Sequence, residues 1–195
     1  MAARPPVGPR RVVPQRNDDL RDALKRAASA LRAQGPDFAL GGSYALWVFG
    51  GPEPVHDVDF VVAEPDTEKA AATLEEAGFR IERTPEDWLF KACVGQDFVI
   101  DVLHRLNGVP VEKESIVAAE EHDVLAVRMR VLAPTEVMRE KLNSLNEHHC
   151  DFAALLPAVR AVREQLDWKQ LRDDTADNPF AAAFLMLADR LELTN

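Results

Sequence analysis

Cysteine is scarce: the 195 residues contain only Cys93 and Cys150, far apart and without a CxxC spacing. Such usage excludes a disulfide framework and fits free thiols in a reducing, cytoplasmic setting. Long apolar runs are missing too. No stretch approaches the roughly 18 apolar residues that a membrane-spanning helix needs, so no membrane partner is expected. The opening MAARPPVGPRRVVPQR is basic but lacks the apolar core of a secretory signal. Positive charge is the third shortage, with 23 Lys and Arg against 33 Asp and Glu and a formal charge of −10. Arg4, Arg10, Arg11 and Arg16 lie in the opening segment without an acid among them, so the remainder is more acidic still. A body of that charge repels a polyanion at long range, which counts against generic nucleic-acid binding. Any RNA contact is restricted to a local basic patch or to this arm.

What is present suffices for a buried core, since 47% of the chain is hydrophobic. Prolines at 5, 6, 9 and 14 and the lack of apolar periodicity mark residues 1–16 as a flexible basic arm. Asn17 or Asp18 can cap a helix to about Gln34, with Leu20, Leu24, Ala27, Ala28 and Leu31 along one face and Gly35-Pro36 closing it. Phe38–Leu40 reads as a short buried strand, residues 44–49 as a buried helical turn, and Val58–Val62 as a β-branched strand. A helix from Asp66 or Thr67 to Ala77 stops at Gly78, and strands follow at Phe79–Arg83, Trp88–Val94 and Phe98–His104. Residues 110–127 are ambiguous: Ser115–Glu121 is compatible with a short helix, and the charges of Glu112–Glu121 read as a solvated face. Val127–Leu132 is a further strand. Pro134-Thr135 opens a helix, Asp151–Leu166 is helical around Pro157, and Asn178-Pro179 starts a helix ending near Leu193. The expected fold is α/β (α+β), a mixed sheet flanked by helices with a C-terminal helical bundle.

The chemistry concentrates in Leu40-Gly41-Gly42-Ser43 and Asp57-Val58-Asp59-Phe60. Side chains alternate along a strand, so Asp57 and Asp59 share a face while Val58 and Phe60 pack behind them. Two carboxylates held ~5–7 Å apart repel, and burying them unpaired costs several kcal/mol. A divalent cation resolves the conflict, and Mg²⁺ prefers carboxylate and phosphate oxygens. Asp101 stands alone in the apolar run Phe98-Val99-Ile100-Asp101-Val102-Leu103, with no Lys or Arg within three residues on either side. Three such acids can hold two Mg²⁺, one on a triphosphate and one on an attacking hydroxyl, an arrangement for in-line phosphoryl or nucleotidyl transfer. Gly41 and Gly42 let backbone approach a phosphate, and Ser43 adds a hydroxyl donor at the start of a helical turn.

In these residues the sequence resembles the nucleotidyltransferase superfamily related to DNA polymerase β. Its pattern is a strand ending in Gly-Gly/Ser, about ten residues, a strand carrying Asp-h-Asp-h (h, apolar), and a later strand with an Asp between apolar residues. Leu40–Ser43, Asp57–Phe60 and Ile100–Val102 match in order. The element order suggests a catalytic domain over residues 17–133 and a helical region over 134–195; the resemblance, which covers roughly residues 36–105, implies an NTP substrate and Asp57, Asp59 and Asp101 as metal ligands. A second likeness runs through Val131–Glu136, Lys141-Leu142 and Asp151 to the nucleotidyltransferase toxins of abortive-infection and toxin–antitoxin systems. It implies that Lys141 and Asp151 complete the NTP site, that tRNA is the acceptor, and that an antitoxin protein is a partner. The Arg that precedes the Asp in that group is Cys150 here.

Plainer roles remain for several residues. Asp57 and Asp59 fit a solvated strand edge, Asp101 a structural acid paired to a distant Arg, Lys141 an exposed helix position beside Glu140, and Asp151 a helix cap. His148, His149 and Cys150 are adjacent and cannot converge on one zinc ion. His56 and His104 flank candidate acids but face away from them. Trp47, Trp88 and Trp168 sit in apolar surroundings and read as core. Two other functions compete with tRNA modification: adenylyl transfer to a small molecule such as an aminoglycoside-type antibiotic, which suits an acidic body, and a non-catalytic nucleotide-binding partner protein.

Overall fold

The computed structural model describes residues 13–94 and 97–194. Helix α1 spans Val13–Gln34, strand β1 Phe38–Leu40, helix α2 Gly42–Val48 and strand β2 Val58–Val62. Helix α3 (Thr67–Glu76) leads into β3 (Arg80–Arg83), β4 (Leu89–Val94) and β5 (Asp97–Leu103). A small hairpin, β6 (Arg105–Leu106) and β7 (Val109–Pro110), precedes α4 (Lys113–Ala118), β8 (Glu120–Val124) and β9 (Val127–Val131). The chain closes with α5 (Pro134–Asn143), α6 (Phe152–Val162), α7 (Trp168–Asp174) and α8 (Pro179–Arg190).

Seven strands form one mixed sheet in the order β3-β4-β5-β2-β1-β9-β8. The β2–β5 and β1–β9 pairs are parallel and the others antiparallel. The expected α/β fold with a flanked mixed sheet is therefore the fold observed. Val58, Phe60 and Val62 are fully buried, and alternation turns Asp59 and Val61 to the other face. One apolar cluster joins α1 (Leu20, Leu24, Leu31), the sheet (Phe60, Ile100) and the C-terminal helices (Val159, Phe184).

Several local expectations differ. The first twelve residues of the expected arm lie outside the described residues, and α1 begins at Val13, four residues ahead of Asn17. Pro14 is tolerated there because the first turn has no intrahelical acceptor to offer an N–H. Within the ambiguous stretch 110–127, Glu120–Val124 forms edge strand β8, and Glu120 and Glu121, the end of the run read as a solvated face, are exposed on it. Its acids pair across the ladder with β9, Arg128 with Glu121 at 2.8 Å and Arg130 with Glu121 at 3.4 Å. The connecting turn uses Leu125 and Ala126 at φ +50 and +67, so it carries none of the Asn-Gly signal that usually announces such a turn. Helix α7 also escapes the sequence pattern, being one short element capped by Asp167, which accepts from the Gln170 amide at 2.9 Å.

Candidate active site

The site begins with a turn that only glycine permits. β1 ends at Leu40, the Gly41 amide donates to the Asp59 carbonyl at 2.8 Å, and α2 starts at Gly42 with φ +53. A Cβ on Gly42 would fall 1.7 Å from Asp59 Oδ2 and 2.5 Å from its Cγ. The missing side chain is thus the space occupied by the Asp59 carboxylate. Ser43 follows in the first turn of α2 and accepts a hydrogen bond from Lys141 Nζ at 3.1 Å. Lys141, 98 residues away on α5, is accordingly part of this turn rather than a solvated helix lysine.

Parallel pairing of β2 with β5 sets Asp59 directly opposite Asp101, which places both carboxylates on one face. Asp57 sits one residue before β2. One oxygen from each of Asp57, Asp59 and Asp101 lies within 4.8 Å of the others, the metal-compatible acidic group found among the described residues. Burial and the neighbouring Asp57 push the Asp59 carboxyl up to about 7, with Lys141 pulling the other way and Asp101 adding to the rise. Burial also raises Asp101, against the pull of Lys91. For both carboxylates the cost of burial outweighs the compensation that the neighbouring lysines provide. Hard oxygen donors converging at this spacing fit a hard divalent cation such as Mg²⁺.

Lys91 was not among the expected site residues. It lies opposite Asp101 on β4 and donates to both carboxylate oxygens, at 2.7 and 2.8 Å. Asp101 has no cation near it in sequence, and the one that pairs with it comes from the neighbouring strand and is a lysine rather than an arginine. The available signal was Lys91 itself, a charge in the middle of Leu-Phe-Lys-Ala-Cys-Val.

Beside the acids opens a cleft of about 370 Å³, floored by Val61, Leu103 and Leu132 and bordered by Asp59, Trp88 and Lys141. Trp88 is 42% exposed, so the expectation of a core tryptophan fails for it. It precedes β4 at the mouth of the cleft, whereas Trp168 is buried and Trp47 packs edge-on to Tyr44 at 5.8 Å. The β6–β7 hairpin also borders the cleft, turning at Asn107-Gly108 with φ +48 and +83 and tied to α5 by Asn107 Nδ2 donating to Glu140. The expected element order omits this hairpin, although Asn-Gly is the pair a two-residue type I′ turn demands.

Asp151 stands elsewhere. Its exposed side chain caps α6, accepting from the Ala154 amide at 3.1 Å, and it does not line the cleft. Of the two readings for this residue, the cap is the one its contacts serve. His104 is a half-buried imidazole held below its usual pKa by burial, lining a different cleft with Glu64 and Arg83.

No family model and no curated protein matches the sequence. Solved structures do. The crystal structure of ANT(2'')-Ia in complex with adenylyl-2''-tobramycin is similar at a TM-score of 0.59 and 14% identity, over 85% of this chain and 97% of that one. The solution structure of the antibiotic-resistance factor ANT(2'')-Ia gives 0.58 and 14%, over 90% and 96%. The crystal structure of an antigenic nucleotidyltransferase-like protein from Paracoccidioides brasiliensis gives 0.51 and 13%, over 87% and 93%. Identities this low speak for architecture and not for substrate, and in architecture this chain has the nucleotidyltransferase fold.

Proposed function

We propose that the protein is a Mg²⁺-dependent nucleotidyltransferase that moves a nucleoside monophosphate from an NTP to a hydroxyl of a small-molecule acceptor. The observation that carries this reading is the convergence of Asp57, Asp59 and Asp101 beside the Gly42 turn. Bound there, Mg²⁺ would supply charge neutralisation for the triphosphate and acidify the attacking hydroxyl. Asp57, Asp59 and Asp101 are the residues that would hold it.

The chain's own groups divide the remaining work. Ser43 Oγ and the first amides of the α2 turn offer donors to phosphate oxygens. Lys141 Nζ, already beside Ser43, binds the β- and γ-phosphates and stabilises the charge on departing pyrophosphate. The acceptor oxygen forms a bond to the α-phosphorus as the α–β bridging bond breaks. Its proton passes to a carboxylate oxygen of Asp101. The apolar floor of the cleft and the exposed Trp88 face suit a nucleobase or a sugar ring laid against them.

For the acceptor, two observations favour a small cationic hydroxyl compound over tRNA. The protein carries a formal charge of −10, which attracts a polycation and repels RNA. The solved structure similar over 97% of its own length holds an adenylylated tobramycin. The tRNA acceptor and antitoxin partner rest on the likeness of Lys141 and Asp151 to the toxin group, and Asp151 is engaged as a helix cap.

Radiolabelled NTPs with Mg²⁺, a panel of aminoglycosides and total tRNA decide between these. Label on a small molecule, lost in Asp59→Asn, is the expected result. Label on tRNA alone, with growth arrest on expression, would transfer the assignment to RNA modification. Nucleotide binding without transfer to anything offered would leave a non-catalytic nucleotide-binding protein.

A further inference from the structure

The third carboxylate of the cluster already has a cation. Lys91 Nζ donates to Asp101 Oδ1 and Oδ2 at 2.7 and 2.8 Å, so the lysine spans the two oxygens that a metal would use. The contact is written into the sheet. β4 and β5 are antiparallel with Lys91 opposite Asp101, and paired residues on neighbouring strands project to one face. The rest of β4 has no such polar business: Leu89, Phe90, Ala92 and Cys93 are buried apolar positions. Asp101 is 13% exposed and Lys91 32%, so the pair is partly withdrawn from water at the lip of the site.

A second lysine makes the asymmetry clear. Lys141 bonds a neutral hydroxyl, Ser43 Oγ, and so keeps its charge available to an arriving phosphate. Lys91 is bonded to a carboxylate and has its charge answered before any substrate arrives. Both also act on Asp59, each opposing the effect of burial there, Lys141 more strongly. An ammonium and a divalent cation cannot hold the same lone pairs of Asp101 together, and a resident positive charge repels an incoming one.

We propose that Lys91 is the resident counter-ion of the carboxylate cluster, holding Asp101 in place and competing with divalent cations for it, so that the substrate-free site takes such cations weakly. This rests on the metal-binding reading of Asp57, Asp59 and Asp101. In this role Lys91 is a positioning residue. It acts on the site through Asp101.

The test is Mn²⁺ binding to the full chain without nucleotide at pH 8, read by titration calorimetry. Lys91→Met is expected to bind Mn²⁺ about tenfold more tightly than wild type, the effect of one unit charge on a divalent ion at ~5 Å in a water-like dielectric. Lys91→Arg is expected to stay close to wild type. Equal or weaker binding by Lys91→Met, with Asp59→Asn still abolishing Mn²⁺ binding, overturns the role of Lys91 and leaves the metal site standing. Absence of Mn²⁺ binding in both wild type and Lys91→Met overturns both. Should Lys91→Met not fold, the wild-type protein answers alone. The ¹⁵N signal of the Lys91 ammonium, assigned by its loss in Lys91→Arg, is expected to shift on adding Mg²⁺. A signal unmoved at saturating Mg²⁺ overturns the proposal.

Discussion

Gly42 and Asp59 share one small volume, and the consequences of that are testable. Gly42→Ala puts a methyl where Asp59 Oδ2 now lies, at a φ of +53 that an L side chain adopts only with strain. Either the carboxylate or the turn has to move. Displacing a reacting constellation by about 1 Å costs on the order of 100-fold in rate, so NTP transfer should fall by at least that much while far-ultraviolet circular dichroism stays native. Asp59 itself makes a prediction about pH. Its carboxyl is pushed from the ordinary 3.8 to about 7, chiefly by burial. A raised acid keeps its proton longer in the folded state than in the unfolded one. The folded state therefore binds more protons between pH 4 and 7, and stability contributed by this group falls as pH rises through that window. In urea denaturation without metal, Asp59→Asn should gain on wild type from pH 4 to 7 and hold that gain above. A gap independent of pH would show that Asp59 is not the perturbed group.

At the scale of elements, one asparagine ties two helices. Asn178 Oδ1 caps α8 by accepting from the Phe180 and Ala181 amides, at 2.9 and 3.2 Å. Its Nδ2 meanwhile donates to the carbonyls of Leu142, Asn143 and Leu145, between 3.0 and 3.2 Å. Those carbonyls close α5, the helix that carries Lys141, so the cap of one helix also satisfies the end of another. Asn178→Ala removes both services, at a cost of about 1–3 kcal/mol. The change should appear as a lower urea midpoint with unchanged slope, and Asn178→Asp should recover the cap but not the bonds to α5.

For the whole molecule, the charge balance predicts how ions act. A chain of formal charge −10 gathers three carboxylates at one point and answers them with two lysines. Excess Mg²⁺ should raise the melting temperature, and more at pH 8 than at pH 6, because Asp59 must lose its proton to bind the ion. Equal stabilisation in Asp59→Asn would assign the effect to general screening. High monovalent salt should also not reproduce it, since screening acts on exposed charges and reaches buried ones weakly.

How much of this was legible depends on the range of the interaction. Alternation and turn chemistry are local, and they sufficed for the strand carrying Asp59, the strand carrying Asp101, the Asn178-Pro179 helix start and the Gly-Gly-Ser turn between β1 and α2. Edge strand β8 was lost because acidic residues there are held by cross-strand arginines, which no window of sequence displays. Trp88 was misread because an apolar neighbourhood in the chain is not an apolar neighbourhood in space. The sequence by itself determined which carboxylates were candidates and that Asp59 and Asp101 would stand on strands, with Asp57 just ahead of the first, since a strand fixes the side its residues face. Only the tertiary structure decided that β5 lies beside β2 in a register setting Asp101 against Asp59, and that β4 brings Lys91 to the same carboxylate. Pairing partner and register are chosen by the packing of the whole sheet, and no single strand contains that choice.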